Sequence, residues 1–173
     1  QSQDINTNIN IFNNFFNNSS AFTIETWGYS TAFKTGASSL IYQAPSFIAV
    51  GNTYISLAVN NQTPLFYWWT GAQNSIQSSV NVSLNTWYHL AVVLESNSGS
   101  NNLKLYLNGT KTAEGTFTGV SMPSSLSGLY VKIGQGGNNT TSDFQGYIQD
   151  LRITKGLARY TANFTPPTEP LKG

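Results

Sequence analysis

The stretch from Gly146 to Leu171 constrains the chain more than any other. It reads as a strand from Tyr147 to Thr154, then a short turn or helical turn from Lys155 to Tyr160, then an exit locked by Pro166, Pro167 and Pro170. The apolar positions of the strand are Ile148, Leu151 and Ile153, a step of three followed by a step of two. Strict alternation puts Ile148 and Leu151 on opposite faces of a sheet. One extra residue near Gln149 or Asp150 returns all three to one core, so the spacing predicts a β-bulge there.

Other segments carry the same period of two. Phe22 to Tyr29, Phe47 to Val50, Tyr54 to Val59, Leu65 to Trp69, Thr86 to Glu95 and Leu129 to Ile133 read as strands, as does Ser39 to Gln43, with Gly, Pro, Asn or Ser between them. In Thr86 to Glu95 both faces are largely apolar, which marks a buried central strand. Leu103, Leu105 and Leu107 alternate with Lys104 and Tyr106, and Asn108-Gly109 then supplies a two-residue turn that tolerates positive φ. A return strand from about Lys111 to Phe117 completes that hairpin.

Four of these segments together resemble the laminin-G-like domains of the concanavalin A-like jelly-roll superfamily, in the form found in phage, large-virus and bacterial surface proteins. The segments are Phe-Thr-Ile-Glu-Thr-Trp from Phe22, Trp-Tyr-His-Leu-Ala-Val-Val from Trp87, Leu-Lys-Leu-Tyr-Leu-Asn-Gly from Leu103, and the closing run from Gly146 with its Ala-Arg-Tyr-Thr and Phe-Thr-Pro-Pro. Gln149 stands where those domains carry an acid. The resemblance implies an all-β, two-sheet antiparallel jelly-roll sandwich of concanavalin A-like type. It implies a fold; function has to come from a site.

With 173 residues, 39% hydrophobic and 9% charged, the chain can bury one core under a surface of neutral hydrogen-bonding groups. A net charge of +1 gives no electrostatic case for nucleic acid. No apolar run reaches the roughly 18 to 20 residues of a bilayer span, so membrane insertion is not expected. Without cysteine, disulfides and thiolate zinc sites are excluded.

Chemistry is sparse. Glycoside hydrolysis needs two carboxylates about 5 to 9.5 Å apart, and the glucanases that the resemblance brings in place theirs on alternate residues of one strand. No Glu-x-Asp or Asp-x-Glu pair exists here, and Glu25 reads as a strand residue bonded to polar neighbours. His89 is the only histidine and reads as structural. Calcium is the one cofactor the resemblance leaves open, with Asp143 as its candidate ligand. For Asp150 and Arg152 an ion pair or backbone hydrogen bonds are expected. Trp68 and Trp69 are adjacent, so both cannot lie in one core; one of them is the candidate platform for a sugar ring.

Ahead of Phe22 only one strand pattern occurs, with Ile5, Thr7, Ile9 and Ile11 on one face and Phe12 at its end. The resemblance implies two strands there, one of them beside the closing strand. Residues 1–20 are therefore expected to form an arm, and residues 21–173 the jelly roll. Either the arm folds back within its own subunit or it pairs with the next copy, so that Tyr147, Ile148, Leu151 and Ile153 form an assembly edge. The reading that follows is a non-catalytic structural or adhesive subunit at a virion or cell surface, a homo-oligomer or homopolymer. Its alternative is a glycan-binding lectin module.

Overall fold

A computed structural model describes residues 21–33, 46–50, 55–96, 98–119, 131–135 and 143–171. Among them ten strands form two five-stranded sheets in which every pairing is antiparallel. The first sheet runs β10 (Gly146–Lys155), β1 (Phe22–Ser30), β6 (Trp87–Leu94), β7 (Leu103–Leu107), β8 (Thr110–Gly115). The second runs β5 (Gln73–Gln77), β4 (Thr63–Trp69), β3 (Ile55–Asn60), β2 (Ser46–Val50), β9 (Val131–Ile133). β5 was not foreseen from the sequence, because Gln73-Asn74-Ser75-Ile76-Gln77 offers one apolar residue and no alternation.

The core lies between the sheets. Phe22, Ile24, Tyr88, Leu90, Val92 and Leu105 from the first sheet meet Ile55, Leu57, Phe66 and Trp68 from the second. β6 is buried on both faces, as its sequence requires, since Ala91 and Val93 are buried on the far side with Tyr106. Two-residue turns with both central φ positive close two hairpins, Asn61-Gln62 (φ 43 and 77) and Asn108-Gly109 (φ 50 and 77).

The expected bulge is present in β10. Glu25 pairs with Arg152 and Trp27 with Gln149, so two steps along β1 face three along β10. Asp150 absorbs the extra residue at φ 53, a conformation that Asp tolerates better than most side chains. The Thr26 hydroxyl donates to the Gln149 carbonyl at 3.1 Å and so ties the bulge to β1. Ile148, Leu151 and Ile153 consequently all pack against the main core.

After Gly156 the chain does not form the helical turn that was one expectation for Lys155 to Tyr160; it bends and crosses the outer face of the first sheet. Strand-like bonding carries it there: Gly156 N donates to Ala21 O at 2.6 Å, and Phe164 N to Gly109 O at 2.9 Å. The Thr23 hydroxyl donates to Leu157 O and accepts from Arg159 N, each at 3.0 Å. Asn163 Oδ1 accepts from Lys111 N at 2.9 Å.

The arm carrying Ile5, Thr7, Ile9, Ile11 and Phe12 lies outside the described residues, as does Ser39 to Gln43. Among the described residues β10 is the outermost strand of its sheet.

Gly109 is where the tail meets the β7–β8 hairpin, and a Cβ built there lies 1.8 Å from Phe164 O. Gly109→Ala combines that collision with a left-handed φ, which alone costs about 1 kcal/mol or more. Urea unfolding is expected to show a loss well beyond that amount, whereas Gly71→Ala, with open space around it, loses only the conformational term.

Candidate functional site

Outward-facing residues on β1 are Thr23, Glu25, Trp27 and Tyr29, and register extends each into a row across the sheet. The rows are Thr154–Thr23–Val93, Arg152–Glu25–Ala91, Gln149–Trp27–His89 and Tyr147–Tyr29–Trp87. The tail covers the first two rows and part of the third. The fourth is left open.

Under the tail, Glu25 is fully buried. Arg152 donates to Glu25 Oε1 through Nη2 at 2.7 Å and Nε at 2.9 Å. The Tyr160 hydroxyl donates to Oε2 at 2.8 Å, and His89 Nε2 lies 3.3 Å from the same oxygen. Burial alone pushes the Glu25 carboxyl up, but His89, Tyr160 and Arg152 outweigh it and hold the carboxyl below its ordinary 4.5. Burial, with the adjacent Glu25 carboxylate, pushes the Tyr160 phenol up to about 12. An aromatic stack closes the site: Tyr160 lies parallel to Phe164 with centroids 3.5 Å apart, and Phe164 meets His89 and Tyr106 edge-on. Glu25 and His89 are therefore structural, as their sequence context indicates, and Arg152 pairs with Glu25 rather than with Asp150.

The open row is different in kind. Trp87 is 42% exposed and Tyr147 63%. Their rings flank Tyr29, at centroid distances of 5.4 and 5.8 Å and tilts of 57° and 58°. Beside them lies a groove of about 320 Å³ lined by Trp27, Trp87, Gln149, Asp150 and the tail residues Pro167 to Pro170. Trp27 is held edge-on against His89 at 5.2 Å, and the prolines fix the backbone of the opposite wall. Gln149 Nε2 donates to Asp150 Oδ2 at 3.3 Å.

The anticipated tryptophans lie elsewhere. Trp68 is 3% exposed, stacked near Phe66 and Phe117 in the core, and cannot serve as a platform. Trp69 is half-buried on the other face of β4, packed against Ala58, Leu65 and Tyr67. The pair does split between core and surface, but the surface member is largely covered. Asp143 accepts from Gln135 Nε2 at 2.8 Å, and no group of three or more His, Asp or Glu converges among the described residues. On the outermost strand β10, Tyr147 stands in the aromatic row, while Ile148, Leu151 and Ile153 pack against the core. The sequence reading missed Trp27, Tyr29 and Trp87. Their parity with Glu25 and His89 placed them on the outer face, but only register brings them together with Tyr147.

The fold and this rim define a concanavalin A-like β-sandwich with one outer face partly capped by its own C-terminal tail. The profile of the concanavalin A-like lectin/glucanases superfamily matches residues 3–158, and the chain belongs to that family. No curated protein sequence matches it. Among solved structures, domain 4 of AbnA, a GH43 extracellular arabinanase from Geobacillus stearothermophilus in complex with arabinotriose, superposes with a TM-score of 0.58 at 20% identity, over 81% of this chain and 63% of that one. The Ruminococcus gnavus IT-sialidase CBM40 superposes with a TM-score of 0.63 at 15% identity, over 92% of this chain and 88% of that one. In its complex with α2,3-sialyllactose the same CBM40 gives 0.61 at 15% identity, over 90% of this chain and 84% of that one. The chain thus spans less than two thirds of the arabinanase domain structure, and the likeness is one of fold.

The buried carboxylate makes the stability of the fold depend on pH at the acid end. Because the Glu25 pKa lies below 4.5, its contribution to stability is present above that pH and is lost as pH falls through the folded value. Arg152→Met removes the guanidinium, so acid unfolding is expected to begin at higher pH, with a loss of about 3 kcal/mol or more at neutral pH. At the alkaline end Tyr88, Tyr106 and Tyr160, pushed up to about 12 chiefly by burial, contribute stability below pH 10 that is lost as pH rises toward 12. Thermal unfolding followed across pH reads both limits, and an acid midpoint unmoved by Arg152→Met would contradict the role given to that ion pair.

Proposed function

We propose that the chain is a non-catalytic glycan-binding module whose sugar site is the outer-face groove beside Trp27, Tyr29, Trp87 and Tyr147. The observation that carries this reading is the pair of solvent-exposed rings: Trp87 lines a groove that also carries polar groups, and Tyr147 stands beyond Tyr29 in the same row. Aromatic faces gain by covering the apolar C–H face of a sugar, and Gln149, Asp150, Thr168 and Glu169 offer partners to its hydroxyls. Trp87 and Tyr147 are each tilted by more than 50° to Tyr29, so the three rings do not form the plateau that a flat crystalline surface needs.

Catalysis is not part of the proposal. Glu25 is sealed and fully engaged, and Glu169 is solvent-exposed rather than held in the apolar enclosure that keeps a catalytic carboxyl protonated. The fold neighbours that bind arabinotriose and sialyllactose support a glycan partner, and a glycan ligand implies work outside a cell or on its surface. Self-assembly through the arm rests on residues outside the described ones, whereas the groove stands on residues the structure places.

Glycan-array retention followed by calorimetry on the retained sugar tests the site. Trp87→Ala is expected to weaken binding about tenfold or more, equivalent to about 1.4 kcal/mol, and Tyr147→Ala to weaken it less. Trp69→Ala, on the other sheet, leaves affinity unchanged. Affinity indifferent to both Trp87→Ala and Tyr147→Ala would place the ligand elsewhere.

A further inference from the structure

The charge of the groove narrows the class of sugar it accepts, an inference that rests on the groove being the glycan site. Among the described residues, its charged lining groups are both acidic, Asp150 and Glu169. Two cations that follow Asp150 in the chain are engaged elsewhere: Arg152 is bonded to Glu25, and Arg159 Nε donates to Thr154 Oγ1 at 2.7 Å. Among the described residues, the Asp150 carboxylate has one hydrogen bond, from the neighbouring Gln149 amide. Its backbone is fixed by the bulge, with Thr26 bonded to the Gln149 carbonyl behind it.

We infer that the groove selects neutral sugars and rejects acidic ones such as uronic and sialic acids. The carboxylates accept charge-assisted hydrogen bonds from sugar hydroxyls, which are donors in every neutral glycan. A ligand carboxylate brought to the same place meets the like charge of both Asp150 and Glu169. Repulsion of this kind is one of the two ways in which a site separates otherwise similar ligands, the other being an added contact. This chain therefore differs in ligand charge from the fold neighbour solved with sialyllactose.

The test uses matched pairs with the full chain: lactose against sialyllactose, and neutral pentose or hexose oligomers against uronate oligomers of equal length, by calorimetry at low salt. The neutral member is expected to bind and the acidic member to bind at least about tenfold more weakly. In Asp150→Asn with Glu169→Gln the gap is expected to close, because the repulsion is gone; Asn also tolerates the φ of the bulge, and an unchanged melting temperature confirms that the fold is kept. Acidic oligomers binding as tightly as their neutral partners, with Trp87→Ala weakening both, would overturn charge selection while leaving the glycan site standing. Binding of every sugar that is indifferent to Trp87→Ala, or no binding at all, would remove the site itself and this inference with it.

Discussion

The outer face of the first sheet depends on one buried carboxylate. Glu25 points away from the sandwich core, where a strand residue normally meets water, yet it is fully buried because the chain's own tail returns over it. Removing a carboxylate from water is costly unless its oxygens are bonded and its charge is answered. Arg152 supplies the charge from the next strand, Tyr160 supplies a hydroxyl from the tail, and His89 stands 3.3 Å away on the other neighbouring strand. Three separate segments of sequence must therefore be in register before the charge is satisfied. The pair fixes the alignment of β10 on β1, and Tyr160 fixes where the tail lies.

That arrangement also decides where the protein has an open surface. Along the outer face of β1, Thr23 and Glu25 are sealed while Trp27 and Tyr29 are partly open. The tail crosses on the Thr23 and Glu25 side, and its prolines reach the edge of the remaining aromatic rows, where they become a wall of the groove. The bulge in β10 contributes in the same way. By absorbing one residue at Asp150 it sends Ile148, Leu151 and Ile153 into the core and holds Gln149 and Asp150 at the groove. One strand thus serves both ends, its core-facing residues packing the sandwich and its outward ones lining the groove.

Much of this was legible as local pattern. The steps between Ile148, Leu151 and Ile153 located the bulge, because side-chain direction in a strand alternates and three core residues at that spacing admit one extra residue. The Asn108-Gly109 turn and the doubly buried β6 followed from positive-φ tolerance and from apolar residues at both parities. Adjacent Trp68 and Trp69 had to part company. Which of them the core takes was not written in the pair: opposite faces of β4 are equivalent in sequence until the rest of the sandwich is present, and Phe117, beyond β8, then claims Trp68.

The sequence by itself determined the sheet class, the bulge and the Asn108-Gly109 turn, because each depends on the backbone geometry of a few consecutive residues. Only the tertiary structure decided the partner of Glu25, the path of the tail and the site. Arg152 lies 127 residues from Glu25 along the chain, and Trp87, Tyr29 and Tyr147 come from three strands distant in sequence. A row across a sheet is set by interstrand register, and register is fixed by burial on the far face and by the closing of one ion pair, neither of which any single stretch of residues contains.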